Sequence, residues 1–378
     1  MRLGDPYMDL IDTEGLGMRA GIIGCGNISG IYLKNLPKFG VPVVAVADLN
    51  LDLARARAEE YGVARACRVE ELLADSEVDV VVNLTVPAAH AEVAMAALRA
   101  GKHVYNEKPL ATSLDDARAL LAEAASRGLL VGCAPDTVLG AGLQTCRALL
   151  DEGQIGAPVA GTAFMLSGGP ESWHPNPAFF YAPGGGPLFD MGPYYLSALI
   201  TMLGPVSRVT GFARAHTAER EVGSGALKGE RFPVLTPSHV AGVLEFASGP
   251  VVTLVTSFDV LAHETPRLEL YGTEGALSLP DPNTFGGPVK LAGREREWRT
   301  VELTHPFDQN SRGLGVADLV QAAAQGRTPR ASGQLALHVL EVMHALLQAA
   351  EQGRATTITS MVERPDAMPS HTTSGGVL

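Results

Sequence analysis

A chain of 378 residues has room for two domains that each bury a core of their own. Its 46% apolar and 19% charged content excludes a disordered chain, and a net charge of −12 with no basic block excludes nucleic acid and anionic membrane surfaces as partners. Four scattered cysteines, Cys25, Cys67, Cys133 and Cys146, contain no Cys-x-x-Cys pair, so neither a disulfide framework nor a metal site is expected.

No apolar run reaches the about eighteen residues of a membrane span. Asp5, Asp9, Asp12 and Glu14 do not fit a signal peptide, so residues 1–17 read as a flexible acidic leader on a cytoplasmic protein. From Arg19 the chain alternates strand and helix. Ala20 to Ile23 forms a short apolar strand, and Gly24-Cys25-Gly26-Asn27-Ile28-Ser29 turns into a helix that Pro37 helps to end. Val41 to Ala47 is the apolar run of a strand buried on both faces, and it stops at Asp48.

This spacing is a dinucleotide fingerprint. Gly24 permits the tight turn, and Gly26 lets the backbone of Asn27 and Ile28 approach a pyrophosphate at the helix N-terminus. Ser29 stands in the third glycine position with Gly30 beside it, a small residue that still allows close helix–strand packing. Asp48, about 20 residues on, accepts from ribose hydroxyls and repels a 2′-phosphate, which favours NAD over NADP.

Helices follow at Leu51–Tyr61, Val69–Ala74, Ala88–Ala100 and Leu114–Arg127, with strands at Val78–Leu84, His103–Tyr105 and Leu129–Gly132. The alternation predicts a doubly wound parallel sheet. Thr85 and Pro87 follow one strand end. Thr85 either caps the next helix or touches the cofactor, and His90 is either a solvated first-turn residue or a contact to the nicotinamide half. Glu107-Lys108-Pro109 follows the next strand end, where open α/β sheets bind ligands, so Lys108 is placed to touch a substrate.

Beyond Pro135 the character changes. Ser167 to Pro187 is a long loop carrying Trp173, His174, Phe179, Phe180 and Tyr181, either a stacking surface for a sugar-like ligand or a satellite hydrophobic cluster. A helix runs from Leu188 to about Leu203, and Asp190 and Tyr194, four apart, share one face of it. Strands dominate from Val206 to Val301, predicting one open, mostly antiparallel sheet, and helices follow at Gly315–Gln325 and Gln334–Gln352. The fold is α/β, with a Rossmann domain over 18–137, a substrate-binding and oligomerisation domain over 138–363, and a flexible tail over 364–378.

With Gly24-x-Gly26, Asp48, Thr85, Glu107-Lys108-Pro109 and Gly184-Gly185-Gly186-x-x-x-Asp190 in this order, the chain resembles the Gfo/Idh/MocA oxidoreductases over roughly residues 18 to 350. The resemblance implies hydride transfer between NAD (less readily NADP) and a carbinol or ketone carbon of a sugar or cyclitol. It implies that Lys108 bonds the reacting oxygen, that Asp190 assists it, that Glu107 lies near the nicotinamide ribose, and that the C-terminal sheet pairs chains into homodimers or homotetramers. The family carries a histidine four residues after the aspartate, and here that position is Tyr194. A phenol with a pKa near 10 needs a cation such as Lys108 to move a proton near neutrality. The acid/base is therefore either Tyr194 or His174. Two other readings stand beside the dehydrogenase: a redox-neutral, NAD-holding glycoside hydrolase and a dinucleotide-sensing regulator.

Overall fold

The computed structural model describes residues 15–370, so most of the expected leader, residues 1–14, lies outside the described residues, as do the last eight of the expected tail. The chain divides into two compact units. The first takes the residues up to Ala141 together with Thr304–Leu337 and the segment from Met368, and the second takes Gly142–Leu303 and His338–Ala367. This differs from the contiguous division expected at residue 137, because Thr304–Leu337 returns to the first unit.

In the first unit the chain runs β1 (Ala20–Ile23), α1 (Ser29–Asn35), β2 (Val43–Ala47), α2 (Leu51–Tyr61), β3 (Arg65–Cys67), α3 (Val69–Ala74), β4 (Val80–Asn83), α4 (His90–Arg99), β5 (His103–Asn106), α5 (Leu114–Arg127) and β6 (Val131–Cys133). The six strands form an all-parallel sheet in the order β3-β2-β1-β4-β5-β6. That is the doubly wound order, with its switch point between β1 and β4. The central strands are apolar and buried throughout, Ala20–Ile23 and Val80–Val82, as a sheet covered on both faces requires. The first helix is shorter than expected. It stays α-helical only to Asn35, and a 3₁₀ turn over Leu36–Phe39 holds Pro37, whose missing N–H that turn's start tolerates.

The second unit holds α6 (Ala141–Asp151, whose first residue belongs to the first unit), β7 (Pro158–Leu166), α7 (Gly186–Leu203), β8 (Val206–Arg214), β9 (Glu219–Glu221), β10 (Arg231–Pro233), β11 (His239–Phe246), β12 (Val251–Ser257), β13 (Leu268–Gly272), β14 (Ala276–Leu279), β15 (Val289–Ala292) and β16 (Arg299–Val301). Nine strands make one open sheet in the order β16-β15-β14-β13-β7-β12-β11-β8-β17, closed at one edge by β17 (Thr356–Thr357). Every pairing is antiparallel except β7 with β12. One face, carrying Val240, Leu244, Val252 and Leu254, is buried, and α7 packs on β7, β11 and β12. Each such side chain contributes about 1.5–3 kcal/mol of burial.

Between the strands of the second unit and its last helix, α8 (Leu314–Gln325) packs on β5 and β6 of the first unit's sheet. A Cβ on Gly132 would meet the Tyr105 ring and come within 2.9 Å of Leu319. The division between the units falls inside α9 (Gly333–Gln352). The start of the expected flexible tail is tied down. Arg364 Nε donates to Thr201 O (2.9 Å), Arg364 Nη1 pairs with Asp151 (2.7 Å), and Arg147 Nη1 donates to Pro365 O (2.7 Å). Composition marks this stretch as loose, and its own Arg364 and the distant Arg147 override it.

Candidate active site

The glycine turn after β1 separates two demands on glycine. Gly24 has φ 100°, and a Cβ there would lie 2.6 Å from the Leu84 carbonyl, so both conformation and the end of β4 exclude a side chain. A Cβ on Gly26 meets nothing within 4 Å, and Gly26, Asn27 and Ile28 are exposed around that space. Ser29 is buried, and its Oγ donates to Gly26 O (2.6 Å). The close helix approach falls one residue later than the fingerprint places it. A Cβ on Gly30 would come 2.7 Å from the Tyr61 hydroxyl.

Asp48 leaves the end of β2 facing this turn. Its Oδ2 accepts from Cys25 N and its Oδ1 from Asn50 N, both at 2.8 Å. Each oxygen keeps a further lone pair for a ligand hydroxyl. Arg57, which the sequence reading missed, donates to the Cys25 (3.3 Å) and Gly26 (3.4 Å) carbonyls and pairs with Glu60 (2.6 Å).

At the end of β4, Thr85 caps no helix, since neither the 3₁₀ turn at Pro87–Ala89 nor α4 has a side-chain cap. Its hydroxyl donates instead to Asn83 Oδ1 (2.7 Å), while Pro87 is exposed. His90 is neither solvated nor turned toward a ligand. It is 1% exposed, with Nδ1 2.6 Å from Pro109 O and Nε2 3.0 Å from Thr85 O. Burial pulls its pKa below the ordinary histidine value, against the pull of those two carbonyls.

Glu107 and Lys108 leave the end of β5, half-buried. Glu107 Oε1 accepts from the buried Tyr32 hydroxyl (2.9 Å) and Oε2 from Lys108 N (3.0 Å). The first unit thus gathers Gly24, Asp48, Thr85, Glu107 and Lys108 at the carboxyl ends of four adjacent strands. Beneath them Asp136 is fully buried, its Oδ2 accepting from Gly313 N (2.8 Å) and Gly315 N (3.0 Å), and burial pushes its pKa up to about 6. A carboxyl whose folded pKa is raised stabilises the fold fully below its unfolded value near 4, and that contribution is lost as pH rises through about 6. The amount is about 3 kcal/mol. Asp136→Asn, whose amide oxygen still accepts both N–H groups, is expected to be more stable than the parent near neutrality and equal to it at about pH 4. Urea titrations of both proteins at the two pH values check this, and a gap of the same size at both would refute it.

In the second unit, α7 starts at Gly186, two residues before the expected point. Gly186 has φ 84°, and a Cβ there would lie 2.8 Å from Pro237 O. Asp190, half-buried, and Tyr194, buried, sit one turn apart on this helix as expected. In the preceding loop the His174 ring lies among Trp173, Phe179 and Phe180, with centroids 5.3–5.4 Å away. Trp173 is 65% exposed. His174 Nδ1 accepts from Asn176 N (3.1 Å), which leaves Nε2 as the nitrogen for a ligand. An ion cluster invisible in the sequence pins this loop. Arg220 pairs with Glu171 (2.6 Å) and with Asp259, Tyr181 donates to Glu171 (2.7 Å), and Ser238 donates to Asp259 (2.7 Å).

Residues 18–134 match the model of the oxidoreductase family with an NAD-binding Rossmann fold, and residues 143–278 match the GFO/IDH/MocA C-terminal domain. The chain is 31% identical over 349 residues to dTDP-3,4-didehydro-2,6-dideoxy-alpha-D-glucose 3-reductase of Streptomyces violaceoruber, covering 88% of this chain and 95% of that one. It is 29% identical over 352 residues to 1,5-anhydro-D-fructose reductase of Ensifer adhaerens, covering 90% and 98%. A levoglucosan dehydrogenase solved with NADH and L-sorbose shares the fold, with a TM-score of 0.77 at 21% identity over 91% of this chain and 99% of that one. Two matched domains and a relative aligned end to end agree with the strand-end constellation, and the chain belongs to the GFO/IDH/MocA family of oxidoreductases.

Proposed function

We propose that this oxidoreductase interconverts a carbinol and a ketone carbon of a sugar, sugar derivative or cyclitol, with NAD as its cofactor. The observation that carries the reading is the open space at Gly26 beside an oriented Asp48, with Lys108 two strands away along the same sheet edge. That space and that carboxylate fit a dinucleotide, with Gly24–Ile28 holding the pyrophosphate, Asp48 the adenosine ribose, and Thr85, Pro87 and Glu107 the nicotinamide half. When bound, the nicotinamide accepts or supplies the hydride.

Lys108 donates to the reacting oxygen and stabilises the charge that develops on it. Asp190 assists that placement, and Tyr194 or His174 Nε2 moves the proton. Trp173 and His174 offer ring faces to the C–H side of a polyol. Two features support NAD over NADP. The Asp48 carboxylate repels a 2′-phosphate, and Arg57, a cation bonded to that turn, is already engaged by Cys25, Gly26 and Glu60. The relatives are named reductases acting on keto sugars, and they lend no support to the hydrolase or sensor readings. The test follows reduced nicotinamide absorbance with NAD and with NADP against inositols and aldoses, and with NADH and with NADPH against keto sugars. Turnover with one polyol or ketose, faster with NAD, is expected. Tight dinucleotide binding with no turnover across the panel would sink the reading.

The uncovered face of the nine-stranded sheet supports a homodimer. By register, Phe212, Ala241, Val255 and Phe164 form one row across β8, β11, β12 and β7, and Phe212 is 75% exposed. A charge in that row would have to be buried unpaired in a paired assembly. Phe212→Arg is expected to leave a monomer by light scattering where the parent is a dimer or tetramer. An unchanged mass removes this face from consideration. The cytoplasm suits the four cysteines, all buried and none in a disulfide.

A further inference from the structure

Asn83 and Asn106 end β4 and β5 at the same register, both fully buried. Asn83 Nδ2 donates to Asn106 Oδ1 and to His90 O, both at 3.0 Å, and Asn106 Nδ2 donates to Leu110 O (3.1 Å). His90 closes the network, facing Pro109 O with one ring nitrogen and Thr85 O with the other. One rigid ring therefore joins the loop after β4 to the loop after β5. A buried polar ring costs more than an apolar one of the same size unless its hydrogen bonds offset the desolvation. Core packing alone therefore does not account for a histidine here, whereas an N–H donated from the loop after β4 to Pro109 O in the loop after β5 does. A neutral imidazole carries one N–H, and the 2.6 Å approach marks Nδ1 as the donor to Pro109.

We infer that His90 is a positioning residue. With the Asn83–Asn106 pair it clasps the Thr85 loop to the Lys108–Pro109 turn, and so fixes the direction in which Lys108 leaves the sheet. This rests on the reading of Lys108 as the donor to the reacting oxygen. The clasp touches neither the Gly24–Ile28 turn nor Asp48, so it governs placement of the lysine and of the nicotinamide half, and leaves the hold on the pyrophosphate and adenosine ribose in place.

The test uses the full chain with His90→Ala, His90→Asn and His90→Gln, read by steady-state kinetics, NADH affinity and amide hydrogen exchange. An asparagine amide sits near the Nδ1 position and keeps the bond to Pro109, whereas a glutamine amide sits near Nε2 and does not. With His90→Ala, kcat is expected to fall about a hundredfold, because small misplacements of a reacting group cost that much, while the Kd for NADH, held mainly at the Gly24–Ile28 turn and Asp48, rises less than about fivefold. Exchange is expected to rise together in residues 84–90 and 107–111. His90→Asn is expected to recover both kcat and protection, and His90→Gln neither. The inference is overturned if His90→Ala keeps its kcat, if exchange rises only within α4, or if kcat, NADH affinity and thermal midpoint fall in parallel with no recovery by asparagine. Should the parent turn over nothing while both loops still respond to His90→Ala and recover with His90→Asn, the clasp stands and the dehydrogenase reading falls.

Discussion

Replacing Lys108 with methionine is expected to cut kcat about a thousandfold while NADH affinity stays close to the parent's. Methionine keeps an unbranched stem of similar reach and deletes the ammonium. The backbone after β5 is fixed independently of the lysine side chain. Lys108 N donates to Glu107 Oε2, Tyr32 holds Glu107 Oε1, and Pro109 O meets His90. What disappears is a charged donor to an oxygen whose negative charge grows in the transition state. Losing one such donor typically costs about two to three orders of magnitude in turnover. Since that interaction strengthens only on the way to the transition state, kcat and kcat/KM should fall together. Lys108→Arg is not expected to restore activity, because a planar fork does not occupy the point an ammonium does. A Lys108→Met enzyme within tenfold of the parent's kcat would show that another group carries the oxygen.

The first unit was legible because its determinants are local. A glycine turn, a run of valines and an acid at the right offset lie within thirty or so residues, about the length of one βαβ unit. β3 escaped notice because it is three residues long and begins with the exposed Arg65. β9, β10, β15 and β17 were missed for the same reason, two to four residues each. The return of Thr304–Leu337 to the first unit was not legible at all. What draws it back is the fit of Gly315 against the Tyr105 ring and of Leu319 over Gly132, contacts between positions some two hundred residues apart. In the site, Asp48 and Lys108 announce themselves by sequence offset, whereas His90, beside Ala88, Ala89 and Glu92, carries no sign of burial. A signal for its network was present nonetheless. Val80-Val81-Val82-Asn83 and Val104-Tyr105-Asn106 are apolar strands that each end on an amide, and a buried amide needs partners.

Gly24 and Gly26 are two residues apart, and alanine at each is expected to fail in opposite ways. At Gly24 the backbone has φ 100°, a conformation that costs an alanine on the order of 1–3 kcal/mol, and its methyl would press on the Leu84 carbonyl at 2.6 Å. Neither strain can relax without moving the end of β4, which the Asn83 amide ties to His90 O and to Asn106. Gly24→Ala should therefore lose about 3 kcal/mol or more of unfolding free energy, read as a lower urea midpoint in the absence of any ligand. At Gly26 a methyl points into open space, so the ligand-free protein should unfold within about 0.5 kcal/mol of the parent. That same methyl occupies the cradle assigned to the pyrophosphate. Forcing a ligand past it should cost about 2 kcal/mol, roughly thirtyfold in the Kd for NADH. The pair thus separates a glycine that the fold requires from one that only the cofactor requires. A Gly26→Ala protein of normal stability that binds NADH as the parent does would place the dinucleotide elsewhere, and Asp48, locked onto the same turn through Cys25 N, would lose its assigned role with it.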